Sequence, residues 1–293
     1  MNSPTNMALL DVRARLRPMG VGDLLDETIR LYRENFLLFV ATIAALLAPV
    51  LLAGAVAALG GAVVAPGLID QSGSSAPNAP NPALAVLFVV LTIVDAVAGL
   101  LVAAAVTVVT SERYLGRPIT VRAAYAAALK RIGPLLLAFL WAGVRLIPVI
   151  AICAFVIGVP FLIYYLIAWL LIPQAVMLEG CGAGGASKRS RQLIDGHWWK
   201  ALGLYLVLSM LLYILATIPT LLLTAVVGGV AGIATGSAAA LAVVYAIVGV
   251  IMPALLTPLL LVATTLLFYD LKIRKEAFDL ETMARQAAMP PHH

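Results

Sequence analysis

The sequence predicts an all-α integral membrane protein with six transmembrane helices in three hairpins, each hairpin preceded by a cytoplasmic amphipathic interfacial helix. Three observations support this fold class. The composition is 63% apolar and only 11% charged, six long apolar runs follow one another, and the basic residues fall almost entirely in alternate connections. Soluble domains carry roughly 25% charged and about 45–50% apolar residues. Lipid is therefore the expected solvent for most of this chain.

The six apolar runs are predicted to be membrane-spanning helices. In hydrocarbon every backbone polar group must be paired within the protein, so long apolar runs have to be helical. About 20 apolar residues cross the hydrocarbon core. The predicted spans are about 36–65, 83–111, 134–158, 160–178, 201–229 and 238–270. They divide the chain into a leader with an interfacial helix over 1–35, a transmembrane domain over 36–271 and a tail over 272–293. The first apolar run is too long for a signal peptide.

The positions of the basic residues orient the predicted helices. Of the 19 Lys and Arg residues, 18 lie in the leader, the second and fourth connections and the tail, whereas the other connections carry Asp70 as their only charge. The positive-inside rule then places both termini in the cytoplasm, as in a multi-pass protein of the bacterial cytoplasmic membrane. This topology explains the net charge of +5 without a nucleic-acid partner. Binding of anionic lipid headgroups is compatible with the same distribution.

The basic segments contain a repeated pattern. Residues Leu24, Leu25, Thr28, Ile29 and Tyr32 superpose without gaps on a second set at an offset of 100 and on a third at 165, namely Ala124, Tyr125, Ala128, Leu129 and Ile132, then Ser190, Leu193, Ile194 and His197. Each set falls on one face at helical spacing. We therefore predict three units, each an amphipathic helix followed by a two-helix hairpin, with the apolar face of that helix turned toward the membrane.

These helices supply the first group of candidate functional residues, a basic and aromatic face for lipid headgroups or for a protein partner. Indole rings favour the membrane interface, so anchoring is the simplest role for the tryptophans. The candidates are Arg30, Arg33, Arg122, Lys130, Arg131, Lys188, Arg189, Arg191, Trp198 and Trp199.

A second candidate site lies within the predicted spans. Asp95 and Arg145 fall near mid-depth of two consecutive helices. An unpaired charge at the bilayer centre costs roughly 2.5–3.5 kcal/mol on insertion scales, so an Asp95–Arg145 pair is expected. Such a pair would fix helix register or, alternatively, line a polar cavity. Prolines within the spans, including Pro148 and Pro219, are compatible with either reading.

Catalytic, metal and cofactor chemistry is not indicated. No GxxxxGK phosphate loop occurs, and His197 has no acidic partner at a useful spacing. Cys153 and Cys181 are expected on opposite sides of the membrane, so a disulfide is not predicted. His292 and His293 carry no weight, and no metal or cofactor is expected.

Three stretches resemble a known family. They are RPMGVGDLLDETIRLYRENF from Arg17, ERYLGRPITVRAAYAAALKRIG from Glu112 and LLFYDLKIRKEAFDLE from Leu266. Together they are similar to the bacterial glycerophosphoryl diester phosphodiesterase membrane domain family over nearly the whole chain. The resemblance implies a membrane module, and only about 20 residues follow Leu271, too few for the catalytic barrel of the family's fusions. Its most specific part is the tail, with Tyr269, Asp270, Lys272, Arg274, Lys275, Glu276, Phe278 and Asp279.

The sequence therefore favours a non-enzymatic membrane module, acting as a subunit or lipid-engaging scaffold of a membrane assembly. Its expected partners are membrane lipids, together with other subunits or further copies of itself. The alternative is the permease component of a transporter, driven by a separate ATPase, in which Asp95 and Arg145 line a route. The tail, with charges four residues apart, is expected to be an exposed helix or one that docks on the three interfacial helices.

Overall fold

The computed structural model describes residues 19–46, 82–153, 158–234, 251–252 and 255–276. Within these ranges the chain is helical apart from short turns and contains no strand, which confirms the all-α class. The helices in chain order are α1 Val21–Glu34, α2 Phe36–Leu46, α3 Pro82–Tyr114, α4 Val121–Lys130, α5 Ile132–Cys153, α6 Gly158–Ala168, α7 Ile172–Glu179, α8 Ala183–Ile194, α9 Trp198–Ala234 and α10 Leu255–Glu276.

Five segments of the described chain are long and apolar enough to cross a membrane, as in a multi-pass membrane protein. They are Val89–Tyr114, Ile132–Ile152, Gly158–Glu179, Trp198–Leu223 and Leu255–Glu276. Four coincide with predicted spans, and the fifth overlaps the predicted span 238–270. Of the first predicted span, α2 is described and 47–65 lies outside the described residues, as do 238–250 of the last one.

The third of these segments is broken where the sequence predicts a continuous helix. Gly158 to Pro160, the junction between the predicted spans 134–158 and 160–178, instead begin α6, and a turn at 169–171 separates α6 from α7. Pro173 lies in the first turn of α7, where proline is well tolerated. The Ser190 hydroxyl accepts from the Leu171 N–H at 3.1 Å and donates to the Ala168 carbonyl at 2.8 Å. The broken backbone is therefore satisfied inside the protein, as an apolar environment requires.

The packed core lies at one end of the bundle, the end that contains α1, α4, α8 and the last turns of α10; we call it the basic end. Large side chains there are fully buried, including Leu24, Leu171 and Phe268. Toward the other end the helices expose apolar side chains, such as Ile218 and Val226 of α9. The residues that fix the relative positions of the helices are therefore found at the basic end.

The short helices of the first two units are built alike. Residues 21–30 and 121–130 show the same order of buried, half-buried and exposed positions, with Leu24, Thr28, Ala124 and Ala128 all fully buried. These faces contact protein, so the prediction that they turn toward the membrane is wrong for these residues. The predicted offset of 100 describes the pattern of the first two units correctly.

The third unit requires a different register. At an offset of 162 the buried positions 24, 28, 31, 32 and 39 correspond to buried residues, namely Ala186, Ser190, Leu193, Ile194 and Ala201. The N-cap glycine also corresponds, with φ/ψ of −73°/175° at Gly20 and −71°/172° at Gly182. The predicted offset of 165 is thus wrong by three residues, close to one helical turn. Neighbouring turns of an amphipathic helix look alike in sequence, so its period alone does not distinguish them.

Each short helix is hydrogen-bonded to the unit before it. The Tyr125 hydroxyl of α4 donates to the Thr42 carbonyl of α2 at 2.5 Å, and Ser190 of α8 holds the break between α6 and α7. In α1 the Tyr32 hydroxyl donates to the Leu255 carbonyl of α10 at 2.6 Å. The first unit is therefore joined to the last, and the hydrogen bonds close a circuit of three units.

Candidate functional site

The basic end contains two clusters of charged residues that connect distant parts of the chain. In the first, the fully buried carboxylate of Asp270 accepts from the Met19 N–H at 2.7 Å and pairs with Lys200 Nζ at 2.5 Å. Arg274 Nε lies 3.1 Å from the same carboxylate. The Met19 carbonyl accepts from Lys200 at 2.6 Å and from Arg274 at 2.8 Å. The entry to α1, the first turn of α9 and the last turns of α10 are therefore held at one point.

The second cluster surrounds Glu179 at the end of α7. Its carboxylate accepts two hydrogen bonds from the Arg189 guanidinium, at 2.6 and 2.8 Å, and lies 3.0 Å from Lys272 Nζ. Glu276 lies 3.4 Å from Arg189 and 3.7 Å from Lys272. Hydrogen bonding to Glu179 raises the pKa of the Arg189 guanidinium. Because fork-to-fork pairs of this kind are strong, α7, α8 and α10 are fixed to one another here.

Arg131, directly before α5, also contacts the end of α7, next to the Glu179 cluster. Its guanidinium donates to the Val176 carbonyl at 2.9 Å, within the last turn of α7, where a cation is favoured. Gly180 follows with φ +72°, and a Cβ added there would lie 2.5 Å from Arg131 Nη1. Cys181 comes next, and burial, assisted by Glu179, raises the pKa of its thiol.

The tail residues are those that dock α10. Asp270, Lys272, Arg274 and Glu276 belong to the two clusters, and the Lys275 ammonium donates to the Gln192 carbonyl of α8. The Tyr269 and Ser111 hydroxyls are hydrogen-bonded at 2.7 Å, which adds the end of α3. These contacts involve α8 and the entry to α1, so two of the three short helices are reached. Phe278 and Asp279 lie outside the described residues.

The remaining interfacial candidates separate into two groups. On α1, Arg30 pairs with Glu27 at 2.5 Å, and Arg33 is exposed. Arg189 of α8 is paired with Glu179, but among the described residues no acidic partner pairs with the other cations of α4 and α8, which are Arg122, Lys130, Lys188 and Arg191. All four of these side chains are exposed.

An aromatic cluster borders this surface. Trp198 stacks on Tyr164, with ring centroids 6.2 Å apart, and meets Trp199 edge to face at 4.9 Å. The Arg191 guanidinium lies 5.7 Å from the centre of the Tyr164 ring. Trp199 is 79% exposed, so most of its ring is not covered by the described part of the protein.

Asp95 and Arg145 do not form the predicted pair. Both side chains are exposed, and no ion pair joins them within the described residues. The Arg145 guanidinium lies over the Trp141 ring instead, 4.7 Å from its centre, on the same helix. The pairing hypothesis relied on the two helices being consecutive in sequence, but these two faces do not meet.

Sequence reasoning did not identify Glu179, Lys200 or the Met19 backbone as parts of the site. Glu179 does carry a signal, since it is an acidic residue at the end of an apolar run, next to a glycine and a basic segment. The comparisons with known proteins add no further residue. No family model, no curated protein and no solved structure matches this chain.

Proposed function

We propose that the chain is a non-enzymatic membrane module of the bacterial cytoplasmic membrane that acts as a lipid-engaging scaffold, or subunit, of a membrane assembly. Its basic end would face the cytoplasm. The observation that carries the proposal is that the charged residues of the basic end fall into two groups, those that join helices and those that are exposed without an acidic partner. The buried and half-buried charges at this end join helices from both ends of the chain, whereas the exposed cations of α4 and α8 pair with no acidic residue among those described.

The three short helices differ in charge, which assigns the lipid-facing role to two of them. Helix α1 contains four acidic residues and two basic ones, whereas α4 and α8 contain only basic charges. The cytoplasmic leaflet is anionic, and a Lys or Arg near its surface gains about 1 kcal/mol. Helices α4 and α8 are therefore the favourable contacts with the headgroup layer.

Exposed apolar side chains accompany these cations. Leu129 is 57% exposed beside Lys130, and the exposed Trp199 contacts Trp198, which stacks on Tyr164. An interfacial segment needs this combination, since apolar groups enter the acyl boundary while the cations reach phosphate. The lipid-facing surface is therefore the exposed side of these helices, not the buried face defined by the repeat.

Co-purified lipids test this role. After extraction in mild detergent, phospholipids bound to the protein are quantified by mass spectrometry and compared with the bulk membrane. We expect enrichment of anionic lipids, reduced at least about twofold in Arg122→Gln/Lys130→Gln on α4. The matched variant Arg30→Gln/Arg33→Gln on α1 removes the same charge and should keep the enrichment. A wild-type protein that carries lipids in bulk proportions and no protein partner would contradict the proposal.

We also propose that the chain belongs to the glycerophosphoryl diester phosphodiesterase membrane domain family. Its support is the part played by the family-like tail, where Asp270, Lys272 and Arg274 hold α10 to the rest of the basic end. The permease alternative depended on Asp95 and Arg145 lining a common route. Their exposed and separate positions offer it no support.

A further inference from the structure

Asp95 and Arg145 are charged residues on the outside of membrane-spanning segments, and their environment is otherwise apolar. Near them, Val94 of α3 and Val144 of α5 are also exposed. An exposed ionisable side chain at this depth is unfavourable unless a partner neutralises it. Within the described residues neither side chain has an ionic partner, and only the Trp141 ring contacts Arg145.

Apart from Arg145, the predicted spans contain no basic residue that could pair with Asp95. Between 36 and 111 there is no Lys or Arg, and from 201 to 271 the only charged residue is Asp270 at the basic end. Arg145 is the single basic residue outside the four basic segments. For Asp95, the only cation of this sequence at a comparable depth is therefore Arg145, although the structure does not bring the two together in one copy.

Both residues lie near the ends of their apolar segments that are remote from the basic end. Asp95 is six residues after Val89, where the first segment begins, and Arg145 is seven residues before Ile152, where the second segment stops. At 1.5 Å per residue these separations are about 9 and about 10 Å along the helix axes. A twofold axis along the membrane normal preserves depth, so such an axis can bring Asp95 of one copy to Arg145 of another.

We propose that two copies of this chain associate side by side in the membrane, with Asp95 on α3 of each copy paired to Arg145 on α5 of the other. In a twofold dimer the contact is reciprocal, so both pairs form together and all four charges are neutralised. Val94, Val144 and Trp141 would surround the pairs and exclude lipid from them. The proposal rests on the proposed role as a structural module and gives it a partner, a second copy.

Mixing of complementary variants tests the reciprocal contact. Chains labelled with donor or acceptor dyes are reconstituted in liposomes at low protein-to-lipid ratio, and association is followed by energy transfer. Asp95→Asn alone and Arg145→Gln alone each remove both pairs, and we expect association to weaken at least about tenfold. An equimolar mixture of the two variants restores one pair per mixed dimer, so energy transfer between unlike variants should exceed that within either variant.

A variant in which the two charges are exchanged provides a second experiment, which tests whether the two copies recognise each other through these charges. The double variant Asp95→Lys/Arg145→Asp should associate with itself, because both reciprocal pairs are regenerated with inverted sign. It should not associate with wild type, since like charges would then meet at both contacts. Ser209→Ala, which lies on exposed α9, serves as the control and should associate as wild type does. Size-exclusion profiles establish that each variant is folded before it is compared.

Three results would overturn the proposal: a monomeric wild-type protein, association unchanged in both single variants, or a charge-exchanged chain that pairs equally well with wild type. If Arg145→Gln loses bound anionic lipid without any change in association, the occupant of Arg145 is a lipid headgroup and the second copy is excluded. A monomer that still enriches anionic lipid at its basic end would reject the dimer alone. The role proposed for α4 and α8 would then stand.

Discussion

Arg131 and Gly180 are in direct contact at the corner where the second hairpin ends. The guanidinium reaches the last turn of α7 only because residue 180 lacks a Cβ, which would lie 2.5 Å from Arg131 Nη1. Gly180 also has φ +72°, a region that side-chain-bearing residues rarely adopt. Gly180 therefore allows the chain to turn at the end of α7 and also leaves space for Arg131, which holds the start of α5 against α7.

Substitution of Gly180 tests two effects of this glycine, its positive φ and the space that it leaves for Arg131. Gly180→Ala should lower the free energy of unfolding by about 2–3 kcal/mol, because backbone strain of about 1 kcal/mol adds to displacement of Arg131. Gly116→Ala is the matched control, since Gly116 has φ +76° and nothing within 4 Å of an added Cβ. It should lose only the strain. Unfolding in mixed micelles measures both, and equal losses would show that the Arg131 contact contributes nothing.

The Asp270 cluster should be the most sensitive point of the basic end. Asp270→Asn keeps the shape of the side chain but leaves Lys200 and Arg274 without their buried counter-charge, so we expect a loss of about 3 kcal/mol in stability. Glu276→Gln removes an acidic charge that is 53% exposed, and should change stability by no more than about 0.5 kcal/mol. Thermal unfolding in detergent compares the two. Similar losses would refute the central position of Asp270.

The contribution of the Tyr125–Thr42 hydrogen bond to the free energy of unfolding should depend on pH. Burial raises the pKa of Tyr125 to about 12, whereas the unfolded chain titrates near the ordinary value of 10. The contribution of Tyr125 is therefore fully present below about pH 10 and is lost as pH rises through 12. Tyr125→Phe should cost about 1 kcal/mol at pH 8, and this cost should disappear between pH 10 and pH 12. A cost that does not change over this range would exclude the titration.

Orientation can be measured with single cysteines. In a background of Cys153→Ser and Cys181→Ser, Lys130→Cys places a thiol on the exposed side of α4. A membrane-impermeant maleimide should label it in inverted vesicles and not in intact spheroplasts, because the positive-inside rule puts the basic end in the cytoplasm. Ser74→Cys, in the connection between the first two predicted spans, which contains no Lys or Arg, should show the opposite pattern. The reverse result for both would invert the proposed topology.

The sequence was sufficient for the helical class and for the places where short helices precede long ones, because apolar length and helical period are local properties. It could not reveal what covers an apolar face. Leu24 and Ala128 are apolar in the same way whether lipid or protein lies against them, and the structure covers both with protein. The Asp95–Arg145 pair failed for a related reason, since consecutive order along the chain does not specify which faces of two helices meet.

Only some of the contacts in the two charged clusters could be predicted from the sequence. The tail sequence predicts charge pairs four residues apart, and the Lys272–Glu276 pair is present. The stronger partners of those charges, Glu179 and Lys200, lie 93 and 70 residues away from Lys272 and Asp270 respectively. No local period connects such residues, because they meet only after the units have packed.

The hydrogen bond from Tyr32 to Leu255 has a consequence for the order in which the protein is made. A ribosome releases α1 long before α10, so Tyr32, Met19 and Lys200 must wait, without their final partners, until the last helix enters the membrane. Early units can insert one by one, whereas the circuit closes only at the end of synthesis. A nascent chain stopped before Leu255 would therefore be inserted but open, and exposed to the quality-control proteases of the membrane.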